Sequence, residues 1–313
     1  MEWQQILSFY QVAKLGSFTR AAEAAFRTQS ALSQQIKALE EELGCQLLER
    51  IGKRKLRLTA AGEKFLRFAQ GILEDYGRLQ EELSAAKGLH QGPLRLAAPF
   101  TTLYHLFRES LQAYMEQFPQ VQLSILDRSQ SQVIDLVKAG DLDFGLALES
   151  LIPKNLAIRR WKKVETFLMV PPGHPLTAAK KVTIQEIARY PLILPPKGYK
   201  SAGRATLEGF LNKQGIDYHV VMESSNVELS SLYVELGLGV SFATVAADLL
   251  PLSGRKLAFI PLGRYFKPDY LAVVMRRDKV LAPYKEAFLG ILFEKQNQGR
   301  GAARPVGNVN ETP

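Results

Sequence analysis

The densest concentration of charge in the sequence lies in the run Arg50-Ile-Gly-Lys-Arg-Lys-Leu-Arg57, in which five of eight residues are basic and none is acidic. The chain has a net charge of +9, but residues 1–90 hold 13 Lys or Arg against 11 Asp or Glu. The signal is therefore this local patch and not the charge of the first 90 residues as a whole. A patch of this density can neutralise phosphates of a nucleic acid. The alternative is a solvated loop with incidental charge.

A second set of side chains suited to recognition lies upstream, in a helix predicted over residues 28–42. Its apolar stripe consists of Leu32, Ile36, Leu39 and Leu43. The residues expected nearest to DNA are Thr28, Gln29, Ser30, Ser33, Gln34 and Lys37. Gln can bond bidentately to adenine, and Ser and Lys can contact bases or phosphates. Glu40, Glu41 and Glu42 end the helix and would be repelled by phosphate, so we expect its N-terminal half to face DNA.

Two earlier helices and a hairpin are predicted to position these side chains. Residues 3–14 carry an amphipathic pattern, and an alanine-rich helix runs from Phe18 to about Ala25, after which a short turn leads to Thr28. Gly44 ends the third helix. Residues 50–59 are predicted to form a two-stranded wing with Gly52 at or near its tip, because Leu56 and Leu58 alternate with basic residues. The pattern is that of an all-α winged helix-turn-helix, with a plain three-helix bundle as the alternative. The wing residues expected to bind phosphates or the adjacent minor groove are Arg50, Lys53, Arg54 and Lys55.

The sequence lacks the residues and motifs that several classes of chemistry require. The chain has one cysteine and four histidines without metal-ligand spacing, and it has no GxSxG, P-loop or GxGxxG motif. We therefore predict no catalytic residue, no metal, no cofactor and no enzyme. Cys45 is expected to be a small buried residue, and Asp141 and Asp143 are expected to be solvated acids in a turn. The N-terminus lacks a secretory signal and no long uncharged apolar run occurs, so a cytoplasmic protein without a membrane span is predicted.

Further runs at fixed spacing carry a family resemblance. They are Gly16-Ser-Phe-Thr-Arg-Ala-Ala-Glu23, Thr28-Gln-Ser-Ala-Leu-Ser33, Ile36-Lys37, Leu39-Glu40, Leu43-Gly44, Leu47-Leu-Glu-Arg50 and Leu58-Thr-Ala-Ala-Gly62. Together they resemble the LysR-type transcriptional regulators over nearly all of the first 62 residues. The resemblance implies a sequence-specific regulator that binds double-stranded promoter DNA, and contact with RNA polymerase is compatible with that role. Gln34 departs from the Arg that many members have there, so the target sequence is not carried over.

A long helix is predicted over residues 60–86, within a linker segment 60–90 that follows the DNA-binding domain 1–59. Its apolar residues recur at steps of three and four, and such a narrow stripe cannot be buried by one helix alone. It could pack against its own chain. The resemblance implies instead that it pairs with a second copy, which gives a dimer or a tetramer.

From Leu94 onward, strands alternate with helices, which predicts an α/β domain with a mainly parallel sheet. Strands are predicted at 94–98, 121–126, 144–148, 166–170, 192–194, 219–222, 240–243 and 270–275. Helices are predicted at 103–117, 132–138, 184–188, 205–213, 227–236 and 283–293. These strands exceed one sheet of ordinary size, so we infer two lobes.

Four short runs in this region also resemble the same family, namely Phe118-Pro-Gln-Val121, Gly140-Asp-Leu-Asp-Phe144, His174-Pro-Leu176 and Leu236-Gly-Leu-Gly-Val240. They imply a two-lobed, periplasmic-binding-protein-like effector domain over 91–296. By this analogy lobe one is 91–163 with 268–296, and lobe two is 164–267. Residues 297–313 are predicted to be a disordered tail.

Three predicted helix starts could meet in the cleft of this domain and hold a small anion such as a carboxylate or an oxyanion. The candidate effector contacts are Thr101, Thr102, Lys200, Ser201 and Asn226. Plain helix capping is the alternative for Thr101, Thr102 and Asn226. The segments Leu142–Ala147 and Val182–Pro191 look somewhat like the branch of the family that controls sulfur assimilation and cysteine synthesis.

Two other protein classes share part of this design. A solute-binding protein has two lobes but needs an export signal and no DNA-reading head. A DNA-organising protein would need no cleft and would show little sequence preference, which competition with random DNA would reveal.

Overall fold

The chain divides into two units, Met1–Leu89 and His90–Pro313. The structure is a computed structural model that describes residues 1–51, 55–87, 91–197, 202–246 and 254–299. For residues 50, 51, 55, 85, 202, 203 and 295–299 it describes the backbone alone.

The N-terminal unit has the predicted order of helices followed by a hairpin. Helices α1 (Trp3–Leu15), α2 (Phe18–Ala24) and α3 (Gln29–Leu43) come first. Strands β1 (Leu48–Ile51) and β2 (Lys55–Leu58) then pair antiparallel, and α4 (Ala60–Ala86) follows. The predicted winged helix-turn-helix class is confirmed.

Local signals explain where these helices begin and end. The Ser17 hydroxyl accepts a hydrogen bond from the Arg20 amide at 3.3 Å, and the Thr28 hydroxyl accepts one from the Ala31 amide at 3.1 Å. Each hydroxyl thereby satisfies an amide that the first turn leaves without a helical partner. Gly16 and Gly44 end α1 and α3 in the left-handed region, at φ values of 60° and 65°.

One apolar core joins the helices to the start of α4. Phe9 of α1 and Leu32 and Leu39 of α3 are fully buried, and Phe65 of α4 meets the Phe9 ring edge-on at 5.0 Å. At Gly62 a Cβ atom would lie 2.0 Å from the carbonyl oxygen of Leu47. Only glycine therefore lets α4 begin so close to the wing.

The C-terminal unit alternates strands and helices. In chain order they are β3 (Gly92–Ala98), α5 (Phe100–Leu106), α6 (Arg108–Gln117), β4 (Val121–Asp127), α7 (Gln130–Lys138), β5 (Phe144–Leu148), β6 (Leu156–Val170), α8 (Ile184–Ala188), β7 (Leu192–Leu194), α9 (Ala202–Lys213), β8 (Val220–Glu223), α10 (Val227–Glu235), β9 (Val240–Val245), β10 (Ala258–Pro261), β11 (Asp269–Arg276) and α11 (Pro283–Gly299). The expected α/β class is confirmed.

The sheet is mixed, so the expectation of a mainly parallel sheet is wrong. The strand order is β4-β3-β5-β11-β6-β9-β7-β8, with β10 also on β6. Parallel pairs join β3 to β4 and β5, and β7 to β8 and β9, whereas β6 and β11 pair antiparallel with each of their neighbours. Strand β6 carries the chain out of the first half of the domain, and β11 brings it back. Two strands that cross the same boundary in opposite directions must run antiparallel.

Two lobes share strand β6. The first lobe contains β3, β4, β5, β11 and the start of β6, and its core includes Phe107, Tyr114, Phe144 and Phe288. The second lobe contains the end of β6 with β7 to β10, and its core includes Leu168, Leu192 and Leu211.

Several local predictions are corrected. The helix expected over 103–117 is two helices, α5 and α6, with buried Phe107 between them. Helix α11 continues to Gly299, so the first residues of the expected disordered tail are helical, and residues 300–313 lie outside the described part of the chain. Cys45 is exposed and not buried, because the chain turns outward after Gly44 and the Cys45 amide bonds to the Glu40 carbonyl.

Asp143 was expected in a solvated turn, but its side chain is only 4% exposed. One carboxylate oxygen lies 3.0 Å from the Lys285 ammonium and 3.3 Å from that of Lys279, and the other accepts the Arg95 amide at 2.8 Å. These contacts tie the start of β5 to β3 and α11. Burial is the main reason why the pKa of the Tyr114 hydroxyl lies far above its ordinary value, and the negative charge of Asp143 raises it further.

We predict that Asp143→Ala lowers the free energy of unfolding of the C-terminal unit by about 3–5 kcal/mol, because it leaves a buried lysine without its counter-charge. Urea titration followed by Trp161 fluorescence measures the change. The matched control is Glu165→Gln, which removes an exposed pair with Lys163 and should cost less than about 1 kcal/mol. Equal costs for the two variants would contradict a stabilising role of the buried contacts.

Candidate functional site

The polar face of α3 points away from the apolar core that α1, α2 and α3 form with the wing and the start of α4; these elements are called the head below. All six candidate residues of this helix and its cap are exposed, while Leu32, Ile36 and Leu39 are buried on the other side. Those six are Thr28, Gln29, Ser30, Ser33, Gln34 and Lys37. The structure therefore brings them together on one accessible surface.

Three of these side chains already have contacts within the head. Thr28 caps α3, and the side-chain amide oxygen of Gln29 accepts a hydrogen bond from the Thr19 hydroxyl at 3.4 Å. The Lys37 ammonium lies 3.5 Å from a Glu41 carboxylate oxygen, and both side chains are mostly solvent-exposed, so this weak pair can exchange for another anion. The side chains of Ser30, Ser33 and Gln34 make no hydrogen bond to the described residues, which leaves their donors and acceptors available to a ligand.

The wing is anchored next to the end of α3. One Glu40 carboxylate oxygen accepts the amides of Leu47 at 2.7 Å and Leu48 at 3.0 Å, so this acid organises the hairpin. Arg57 on β2 faces Glu49 on β1 at 3.7 Å. Of the wing candidates, Arg50 and Lys55 lie on the strands and only their backbone is described, whereas Lys53 and Arg54 lie outside the described residues.

Residues that the sequence reasoning did not single out border the same surface. Arg27 precedes the cap of α3 and is exposed, and Thr19 of α2 contacts Gln29. Phe26 is 98% exposed and has a φ of 52°, which is unusual for a bulky residue. A pattern search for apolar stripes misses such residues, because they belong to the short turn between two helices.

The far part of α4 exposes a row of apolar side chains. Phe65 and Ala69 are buried in the head, but the row Phe68, Tyr76, Leu79 and Leu83 is 47–55% exposed. Positions 76, 79 and 83 follow helical spacing, so they share one face. An exposed apolar stripe of this kind is typical of a helix that pairs with a partner.

A cavity of about 880 Å³ lies between the two lobes of the C-terminal unit. Thr101 and Thr102 of α5 line it from the first lobe, and Asn226 lines it from the second. Thr102 is largely buried, while Thr101 is half-buried. Lys200 and Ser201, which were expected on the same cleft, lie outside the described residues.

Asn226 is a helix cap as well as a lining residue. Its side-chain oxygen accepts the amides of Glu228 at 2.8 Å and Leu229 at 3.3 Å at the start of α10. Its side-chain amide group is the part suited to a ligand acceptor. By contrast, the N-cap of α5 is Pro99, so neither threonine caps that helix.

The cleft also contains polar residues that the sequence did not single out. Thr166 of β6 and Thr244 of β9 face each other across paired strands, with their hydroxyl oxygens 2.9 Å apart. Their chain separation of 78 residues hides this pairing from sequence patterns. Arg128 and Lys267 add positive charge at the lining, and Asp127 and Asp269 add negative charge there.

Arg204 lines the cleft and is held by its neighbours. Its guanidinium binds Glu208 and Glu223, each at 2.8 Å, and the Pro195 carbonyl. Burial alone would raise the pKa of Glu208, but hydrogen bonds from Arg204 and Tyr218 lower it below its usual value. The arginine thus positions the chain around Pro195, beside the cleft.

Two further observations concern other kinds of site. Among the described residues, no group of His, Cys, Asp or Glu is arranged to hold a metal ion. None of the helices in that part of the chain combines the length and apolar character that crossing a membrane requires.

Comparison with known proteins matches both units. The protein-family model "Bacterial regulatory helix-turn-helix protein, lysR family" matches residues 3–63. The protein-family model "LysR substrate binding domain" matches residues 87–297.

Individual proteins agree with these matches. The chain is 32% identical over 287 residues to the HTH-type transcriptional activator CmpR of Synechocystis sp., covering 91% of this chain and 92% of that protein. It is 30% identical over 285 residues to the HTH-type transcriptional regulator CysB of Burkholderia cenocepacia, covering 90% of each. The crystal structure of full-length CbnR in complex with its target DNA has the same fold, with a TM-score of 0.57, 22% identity, and coverage of 95% of this chain and 100% of that one. The chain therefore belongs to the LysR family of bacterial DNA-binding transcriptional regulators, with a helix-turn-helix domain followed by an effector-binding domain.

Proposed function

We propose that the N-terminal half of α3 enters the major groove of promoter DNA and reads its sequence. The residues in contact would be Thr28, Gln29, Ser30, Ser33, Gln34 and Lys37. The observation that carries this proposal is the row of exposed hydroxyl and amide side chains on the face of α3 opposite its buried stripe. The related CbnR, which was crystallised with its target DNA, supports the same use of the head.

The wing would supply affinity that does not depend on sequence. In the proposal, Arg50, Lys53, Arg54 and Lys55 bind phosphates or the adjacent minor groove. The antiparallel pairing of β1 and β2 supports this arrangement, because a hairpin carries its basic residues next to the helix that enters the groove. Phosphate contacts release counter-ions and so make binding depend on salt.

We predict that Gln34→Ala removes discrimination at one base pair. If Gln34 bonds bidentately to adenine, the loss is about 1–3 kcal/mol of preference for adenine over other bases at that position. Binding titrations against a set of operators that differ at single base pairs measure this preference. A variant that keeps the parent's preference at all positions would exclude Gln34 as a reader.

We predict the opposite signature for Lys53→Ala. This variant should weaken binding to all sequences alike and flatten the dependence of log affinity on log salt by about one unit. Each of the two variants is the control for the other, since one changes base preference and the other changes the salt slope. An unchanged salt slope after loss of both Lys53 and Arg54 would exclude the wing as a phosphate clamp.

Self-association would occur through α4. The proposed linker and dimerisation segment is 60–90, between a DNA-binding domain of 1–59 and an effector domain of 91–296. The exposed row on α4 supports pairing with a second copy. A dimer would present two α3 helices to two half-sites on DNA. Promoter DNA in bacteria lies in the cytoplasm, so we also propose that location for the protein.

The cleft would bind a small, anionic effector and release it unchanged. The proposed contacts are Thr101, Thr102, Lys200, Ser201 and Asn226. The placement of both threonines and Asn226 on one cavity supports this choice, because their hydroxyl and amide groups can donate hydrogen bonds to an anion. The relative named CysB supports a role in sulfur or amino-acid metabolism. An effector that binds one lobe arrangement better than another would shift the lobe angle and, through α4, the spacing of the heads.

We predict that Thr102→Ala and Thr101→Ala weaken effector binding while basal DNA binding stays unchanged. Inorganic sulfate and short carboxylates are the probes, and the melting temperature of the full chain is the readout. Loss of one hydrogen bond to a charged group should raise the half-saturating concentration by about tenfold or more.

The matched control is Thr177→Ala, which lies on the exposed surface of the second lobe, away from the cleft lining. Its response should equal that of the parent. Identical dose–response curves for the parent and both cleft variants would remove the two threonines from the proposed site.

A further inference from the structure

A largely buried contact between a histidine and a glutamate side chain joins the two lobes beside the cleft. The Nε2 atom of His105, on α5 of the first lobe, lies 2.5 Å from a carboxylate oxygen of Glu228, on α10 of the second lobe. Their side chains are only 8% and 17% exposed. A short contact that excludes water is stronger than a surface ion pair, and breaking it leaves a poorly solvated charge.

The start of α10 favours the carboxylate of this pair electrostatically. His105 lies in the last turn of α5, and Glu228 lies in the first turn of α10, where helix amides attract an anion. Glu228 is also fixed in place, because its amide bonds to the Asn226 side chain and its carbonyl accepts the Ser231 hydroxyl at 2.7 Å. The Tyr104 ring is nearly perpendicular to the His105 imidazole, with the ring centroids 4.9 Å apart.

The same two helices supply residues to the cleft. Thr101 lies one helical turn before His105 on α5, and Asn226 caps the helix that carries Glu228. Any rotation that moves α5 away from α10 must therefore widen the cleft and break the His105–Glu228 contact together. Opening of the cleft and loss of this contact therefore occur in the same motion.

We propose that His105 and Glu228 form an interlobe latch that holds the lobes in the described arrangement before any effector binds. The latch disfavours wider arrangements by the free energy of one largely buried, charge-assisted hydrogen bond. It thereby lowers the population of those arrangements. An effector that prefers the described arrangement finds its contacts already in place, and one that prefers a wider cleft must break the latch. His105 and Glu228 thereby act as positioning residues and need not touch the effector.

Distance measurements between the lobes test the latch in the full chain. Cys45 is replaced by Ser, and nitroxide labels are attached at Lys154→Cys in the first lobe and Lys213→Cys in the second, both exposed. Double electron–electron resonance then gives the distribution of interlobe distances. In His105→Ala, which removes the contact, the population outside the parent's main distance should rise about tenfold, the change expected for losing one such hydrogen bond. Glu228→Gln removes the carboxylate charge but keeps a hydrogen-bonding group, so it should raise that population by a smaller factor.

Three comparisons separate latch release from loss of structure. A second label pair within the second lobe, Lys181→Cys with Lys213→Cys, should keep the parent's distance in every variant. Glu235→Gln removes the carboxylate charge from the 3.2 Å contact with Arg255 at the other end of α10 and should leave the interlobe distances unchanged. The double variant His105→Ala with Glu228→Gln should differ little from His105→Ala alone, because the contact is already lost in that variant.

Parent-like interlobe distances in both single variants would overturn the proposal. A change within the second lobe as large as the change between lobes would overturn it too, because it would report loss of lobe structure. Glu228→Gln preserves the size of the side chain and keeps the test valid if His105→Ala does not fold. The test contains neither DNA nor effector, so its outcome is independent of the proposed function.

Discussion

The exposed polar face of α3 depends on the apolar face that the same helix buries. With 3.6 residues per turn, packing Leu32, Ile36 and Leu39 against α1 forces Ser33 and Gln34 to the opposite side. Capping at Thr28 and termination at Gly44 fix the length of the helix, and the buried residues fix its rotation. Each buried side chain contributes about 1.5–3 kcal/mol, and the orientation of the DNA-facing row follows from this burial.

The second constraint is that one strand belongs to both lobes. Residues Leu156–Val164 of β6 pair with β11 in the first lobe, and Glu165–Met169 pair with β9 in the second. A continuous strand ties the lobes covalently at this point, so their remaining freedom is a change in relative angle. Contacts between side chains beside the cleft therefore affect this angle. In this way a molecule bound in the cleft can change the arrangement of the two lobes.

Local signals made the head predictable, whereas long-range pairing could not be derived from patterns. The bounds of α4 and the polar face of α3 follow from apolar spacing and capping residues. The first half of β6 was missed because its basic side chains obscure the strand pattern, although Arg159 and Arg160 lie over the rings of Phe293 and Tyr270. The ion partners of Asp143 were missed for a related reason, since Lys285 lies 142 residues away in sequence.

The most direct test of the account is competition for DNA between the chain's own upstream region and a scrambled fragment of equal length and base composition. Full-length protein at physiological salt is titrated against both, and the ratio of dissociation constants is measured. We expect a preference of about a thousandfold or more for the upstream region, as is typical of specific DNA-binding proteins. Equal affinity for the two fragments over the whole salt range would contradict it.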